Sequence, residues 1–150
     1  MPEVDVARTL RFKALDLLAR REHSKAELRR KLTAAVKDAT EEQVEATLSQ
    51  AVDDGLQSDE RYVYSFVRAK AAKGQGPLKL KQELAQKGVQ ADLVAQALDS
   101  HSWFEVAAEV YAKKFKEVPP ADYQDKQKRL RFMAYRGFDT DTIYTLFGDE

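Results

Sequence analysis

Apolar residues recur at spacings of three and four along almost the whole chain, the period that places them on one face of an α-helix. Ala7, Leu10, Ala14, Leu17 and Leu18 mark a first stripe, Leu28 and Leu32 a second, and Val44, Leu48, Ala51 and Val52 a third. Tyr62, Val63, Phe66 and Val67 form the fourth, Leu80 and Leu84 the fifth, and Val94, Ala97 and Leu98 the sixth. Phe104, Ala107, Ala108, Tyr111 and Phe115, then Tyr123, Leu130 and Met133, then Ile143, Leu146 and Phe147 complete the series. The alternating patterns of half-buried strands are nearly absent. The pattern predicts an all-α chain of nine amphipathic helices.

Capping chemistry marks the helix starts. A Ser or Thr side chain accepts from an orphan backbone N–H, and a Glu or Gln three residues later answers it. Ser24 with Glu27, Thr40 with Gln43 and Ser102 with Glu105 fit this rule. Ser58 precedes Asp59 and Glu60, acids suited to a helix N-terminus. Pro77 and Pro120 fit first-turn positions, where a missing N–H is harmless. Gly55, Gly88 and Gly137 fall where stripes end.

The pattern also repeats. Residues 86–98 (QKGVQADLVAQAL) align without gaps on residues 135–147 (YRGFDTDTIYTLF), bringing Gly88 onto Gly137, Val89 onto Phe138, Val94 onto Ile143 and Leu98 onto Phe147. Residues 27–32 (ELRRKL) match 79–84 (KLKQEL), with Leu28 on Leu80 and Leu32 on Leu84. The nine helices therefore group as three tandem three-helix repeats, 1–57, 58–100 and 101–150. Each unit is too small to hold a core alone, so neighbours are expected to stack.

Composition narrows the chemistry. The 150 residues contain no cysteine, which removes disulfides, thiolate zinc sites and a cysteine nucleophile. His23 and His101 lie far apart and outside any ligand spacing. No phosphate-cradling loop and no G-x-S-x-G element is present. The glycine-rich KGQGP at 73–77 lacks the Lys-Ser/Thr of a P-loop and reads as a helix-to-helix hinge. No catalytic residue, metal site or cofactor is expected. No apolar stretch approaches the ~18 residues of a membrane helix, and MPEVDVARTL has no secretory core, so a cytoplasmic protein is expected.

Net charge is zero, but it is distributed in blocks. Residues 8–31 carry nine basic residues against Asp16, Glu22 and Glu27. Residues 37–60 set eight acids against one lysine, and residues 61–90 set seven basic residues against Glu83. Such blocks suit docking on a charged partner, although a merely solvated surface fits them too. Residues 61–70 mix cations with aromatics, as nucleic-acid binders do. On a helix, however, Tyr62, Phe66 and Val67 share a face and read as core, leaving Arg61, Arg68, Lys70 and Lys73 outward.

Three ordered segments are similar to one known family. Arg21, Ser24, Glu27-Leu28 and Lys31-Leu32 resemble the R-x-x-S-x-x-E-L-x-x-K-L signature that opens RecX proteins. Gly55-Leu56-Gln57-Ser58-Asp59-Glu60-Arg61-Tyr62 followed by Phe66 resembles their G-[FY]-[IL]-x-D-x-R-[FY]-A-x-x-F element, with Val63 where alanine is usual. Lys73-Gly74-Gln75-Gly76-Pro77, Leu80, Glu83-Leu84 and Lys87-Gly88-Val89 resemble the K-G-x-G-P-x-x-I-x-x-E-L-x-x-K-G-[IV] core, with Leu80 for isoleucine. Arg136-Gly137-Phe138 with Ile143 fits the weaker third-repeat pattern. The resemblance covers roughly residues 8–148.

The resemblance implies an elongated, curved helical array that binds the RecA–single-stranded-DNA filament, limits its growth, promotes disassembly and damps recombination, ATP hydrolysis and coprotease activity. With no catalytic constellation the protein is expected to be non-enzymatic and a monomer, and its zero net charge leaves at most weak direct contact to single-stranded DNA. The candidate contact residues are Arg29, Arg30, Arg61, Arg68, Lys70, Lys73, Lys79, Lys81 and Lys87. Two rivals remain: a helical module acting directly on nucleic acid, and a helical adaptor that binds neither DNA nor filament.

Overall fold

A computed structural model describes residues 2–148, and among them the chain forms nine helices. In order they are α1 (Glu3–Arg20), α2 (Lys25–Ala35), α3 (Glu41–Asp53), α4 (Asp59–Ala72), α5 (Pro77–Gln86), α6 (Ala91–Asp99), α7 (Trp103–Phe115), α8 (Tyr123–Tyr135) and α9 (Thr140–Leu146). The closest helix packing falls within the triplets α1–α3, α4–α6 and α7–α9. Leu10, Leu28, Leu32 and Leu48 centre the first core, and Val63, Val67, Leu80 and Leu84 the second. Ala107, Met133, Phe138 and Ile143 centre the third. The chain exposes 9684 Å², against the roughly 7,700 Å² expected of a compact monomer of this mass. An array of small units accounts for the excess.

Local chemistry starts and stops these helices. The Ser24 Oγ accepts from the Glu27 N–H, Ser58 from Arg61, and Asp139 from Thr142. Thr40 and Gln43 close a reciprocal box at α3. Glu27 does not complete the box expected at Ser24, because its carboxylate is taken by Arg21. Ser102 makes no side-chain cap at all. Pro120 lies before α8, whose N-cap is Asp122.

The internal repeat is visible in three dimensions. Leu28 and Leu80, Leu32 and Leu84, and Val94 and Ile143 occupy matching buried positions. Gly88 and Gly137 both take positive φ, 74° and 104°, after the middle helix of their units. Four stripe residues do not follow the pattern: Ala7, Val52, Phe104 and Tyr123 are exposed. Phe66 is half-buried, its ring covered on one side by the Lys70 ammonium at 5.5 Å. Each of these sits at the edge of a narrow stripe, where small units run out of neighbours to bury it.

KGQGP is not a free hinge. The loops carrying Gly76 and Gly137 meet backbone to backbone, so that a Cβ on Gly76 would lie 2.5 Å from the Gly137 carbonyl. The Gly76 N–H donates to the Arg136 carbonyl (2.7 Å) and the Leu78 N–H to the Gly137 carbonyl (3.0 Å). Leu78 is the second residue of α5, where a helix leaves its N–H groups unpaired. The carbonyls of Arg136, the C-cap of α8, and of Gly137 just beyond it therefore cap α5 from the next unit, bringing a helix C-terminus to a helix N-terminus, where their partial charges attract.

The first joint follows the same plan. Here the Lys25 N–H, first in α2, donates to the Asp59 carboxylate of α4 at 2.7 Å. A Cβ on Gly88 would sit 3.3 Å from the Ala26 Cβ in that same first turn.

Leu84→Ala should lower unfolding free energy by about 2–5 kcal/mol in urea denaturation, the usual effect of emptying a core site. Gly137→Ala places a side chain both at positive φ and against Lys79 and Gly76. It should destabilise by about 2–4 kcal/mol and split the single melting transition, because it strikes the joint between two cores.

Candidate partner-binding surface

The first joint is polar at its centre. His23, Ser24, Glu27 and Gln57 are buried there. The Arg21 guanidinium grips Glu27 in a two-pronged pair at 3.1 and 2.8 Å, and Lys31 approaches the same carboxylate at 3.9 Å. Gln57 donates from Nε2 to the His23 carbonyl (3.2 Å) and to Asp59 (2.9 Å). His23 Nδ1 lies 3.1 Å from the Arg21 carbonyl and Nε2 lies 3.2 Å from the Lys31 ammonium. Those partners fit a neutral imidazole that donates from Nδ1 and accepts at Nε2.

Electrostatics follow from this burial. Desolvation pushes the His23 pKa below its ordinary value, and together with the Arg21 and Lys31 charges it outweighs the Arg21 carbonyl and Glu27, which act in the opposite direction. The hydrogen-bonded Arg21 guanidinium holds Glu27 below the usual carboxylate range. Both groups have folded pKa values beneath their unfolded ones, so each contributes stability that is lost as pH falls. His23 acts as pH drops below about 6.5, and Glu27 below about 4.5.

The structure divides the nine candidate cations into two groups. Four are engaged. Arg29 is paired with Glu45. Arg61 bridges the first joint, donating from Nε to Glu22 (3.0 Å) and from Nη1 to the Gly55 carbonyl (2.8 Å). Lys70 lies over Phe66, and Lys79 lies over the Tyr135 ring at 5.2 Å. The other five, Arg30, Arg68, Lys73, Lys81 and Lys87, are exposed, and their side chains have no hydrogen-bond or ion-pair partner among the described residues. The nine together do not form one face: Lys79 and Lys81 emerge on opposite flanks of the buried Leu80–Leu84 stripe, as residues about 200° apart on a helix must.

Other features were not legible in advance. Tyr135 is 79% exposed beside Lys79, although it sits in a helix otherwise read by its apolar stripe. Arg129, by contrast, is buried. It donates to the Tyr111 hydroxyl (2.9 Å) and the Val118 carbonyl (2.7 Å), tying the 116–122 loop to the third core. An apolar groove of about 320 Å³ runs between α1 and α3. No group of three or more potential metal ligands occurs among the described residues, and no helix is long and apolar enough to cross a membrane.

The fold defines a class: a tandem array of three-helix units whose charged residues lie on its outer surface and at its joints. Residues 58–98 match the family described as "RecX, second three-helix domain", and residues 102–147 match "RecX, third three-helix domain". The regulatory protein RecX of Pseudomonas syringae pv. tomato is 41% identical over 146 residues, covering 95% of this chain and 93% of that one. The RecX of Neisseria meningitidis serogroup C is 43% identical over 139 residues, covering 92% and 88%. The crystal structure of RecX from Lactobacillus salivarius superposes with a TM-score of 0.80 at 23% identity, covering 97% of this chain and 96% of that one. The chain belongs to the RecX family of regulatory proteins.

The pH linkage can be read directly. Wild-type melting temperature should fall between pH 7 and 5.5, and His23→Gln should flatten that slope. Equal slopes in the two proteins would show that the buried imidazole does not carry the effect.

Proposed function

We propose that this protein is a non-enzymatic regulator that binds the RecA–single-stranded-DNA filament, limits its growth and promotes its disassembly. Family membership across nearly the whole chain supports the reading. The observation that carries it to particular residues is the set of five uncommitted cations, Arg30, Arg68, Lys73, Lys81 and Lys87, spread over the first two units. A filament presents the same surface again and again. An extended array with dispersed charges can engage several protomers at once, raising effective affinity without any strong single contact. The units 1–57, 58–100 and 101–150 then act as linked binding modules, and a monomer suffices. Arg29, Arg61, Lys70 and Lys79 serve this surface indirectly by holding the units and their side chains in place.

Changing Arg68, Lys73 and Lys81 together to glutamate tests the reading. These exposed substitutions should each shift stability by less than about 0.5 kcal/mol and leave the helical spectrum intact. Inhibition of RecA ATP hydrolysis on single-stranded DNA should nevertheless require about tenfold more protein or higher, since opposed charges weaken and slow association. A folded triple variant as potent as the parent would contradict the assignment. The purified protein alone should hydrolyse neither ATP nor DNA. Binding to bare single strands should be weak, with affinity falling by a log–log salt slope of about −0.7 per phosphate contact. Equal affinity for bare strands and preformed filaments would favour the direct nucleic-acid reading.

A further inference from the structure

A cleft of about 560 Å³ opens beside the second joint, between the end of α4 and the outer faces of α7 and α8. Four cations line it, Lys73, Lys113, Lys114 and Arg136, against one acid, Glu109. None of the three lysine ammoniums has a carboxylate within ion-pair distance among the described residues. Arg136 is fixed at the back, where its guanidinium donates to the Lys73 carbonyl (3.2 Å) and lies 5.2 Å from the Phe132 centroid. The lysines stand at the rim and are exposed. Beneath them the floor is alkyl, formed by the less exposed Ala71, Val106 and Val110.

We propose that this cleft docks an acidic peptide segment of a partner protein, one that places an apolar side chain between carboxylates. The cationic rim matches carboxylates, and the Arg136 guanidinium, held by the Lys73 carbonyl and the Phe132 ring, adds a fixed positive charge to the lining. The alkyl floor suits an aliphatic side chain. A nucleic-acid strand fits less well. Single-strand binders stack bases on aromatic rings, and Phe132, which lines this cleft, is already covered by Arg136 and by the Lys114 ammonium at 5.3 Å. The cleft shares Lys73 with the filament-facing cations, but Lys113, Lys114 and Arg136 are not among them, so variants at Lys113 and Lys114 test the cleft separately.

Fluorescence anisotropy on the full chain tests the proposal with three labelled probes. They are a short peptide with one leucine flanked by aspartates and glutamates, the same peptide with serine for leucine, and an oligothymidylate of equal charge. The leucine peptide should bind, and the serine peptide should bind several-fold more weakly. Lys113→Glu with Lys114→Glu should cut leucine-peptide affinity about tenfold or more, whereas Lys81→Glu with Lys87→Glu should change it less than about twofold. If the first pair disturbs the helical spectrum, Lys113→Gln with Lys114→Gln replaces it and should still weaken binding. No binding of the leucine peptide, equal binding of the serine peptide, or indifference to the cleft variants overturns the proposal. Tighter binding of the oligothymidylate, lost in the cleft variants, also overturns it and makes the cleft a phosphodiester site.

Discussion

An isolated helix leaves its first N–H groups without intrahelical partners, and in this chain the middle helices of the first two units find some of those partners in the unit that follows. The Gly137 carbonyl receives the Leu78 N–H of α5, and the Asp59 carboxylate receives the Lys25 N–H of α2. Neither contact is a large hydrophobic surface. Each is a polar requirement that the next unit meets, so stacking completes a helix as well as covering a core. The arrangement demands close approach, backbone on backbone for Gly76 and Gly137 at one joint and Gly88 against the Ala26 side chain at the other.

The joints also decide which charges remain for a partner. Arg61 lies in the basic block after residue 60, yet it is occupied with Glu22 and the Gly55 carbonyl across the first joint. Arg136 is likewise drawn to the Lys73 carbonyl across the second. Arg61 and Arg136 thus hold the array together, whereas Arg68 and Lys81 are exposed and have no partner among the described residues. A zero net charge is therefore compatible with a charged docking surface, because much of the acid is consumed in ion pairs and helix N-termini. Glu22, Glu27 and Glu45 are paired, and Asp59 and Asp139 cap backbone N–H groups.

Helix number, helix order and the tandem repeat were legible in the sequence because each depends on local periodicity. Leu28, Leu80, Leu32 and Leu84 announce the same buried seam by spacing alone. The fates of Phe104 and Tyr123 were not legible, since whether the margin of a stripe is covered depends on neighbours that one helix does not specify. His23 looked unremarkable because its partners include groups from elsewhere in the chain: the Lys31 ammonium meets its ring, and Gln57 donates to its carbonyl. KGQGP reads as a hinge for the same reason: its partner, Gly137, lies some sixty residues away. For the candidate surface, sequence supplied the cations, but only the fold separates Arg61 and Arg29, which are paired, from Arg68 and Lys87, which are not. It was also silent on Lys113 and Lys114, whose importance arises from the cleft beside them.

The most direct test of this account is amide hydrogen exchange at the two first-turn positions capped from outside their own unit. Exposed N–H groups at a helix start ordinarily exchange quickly, whereas hydrogen-bonded ones open only with the structure that holds them. The Lys25 and Leu78 amides should be protected to the level of core amides such as Leu32 and Leu84, and Gly137→Ala should strip protection from Leu78 while leaving Lys25 unchanged. Rapid exchange at Leu78 in the wild-type protein would contradict the account, because it would mean that the units stand side by side without completing one another's helices.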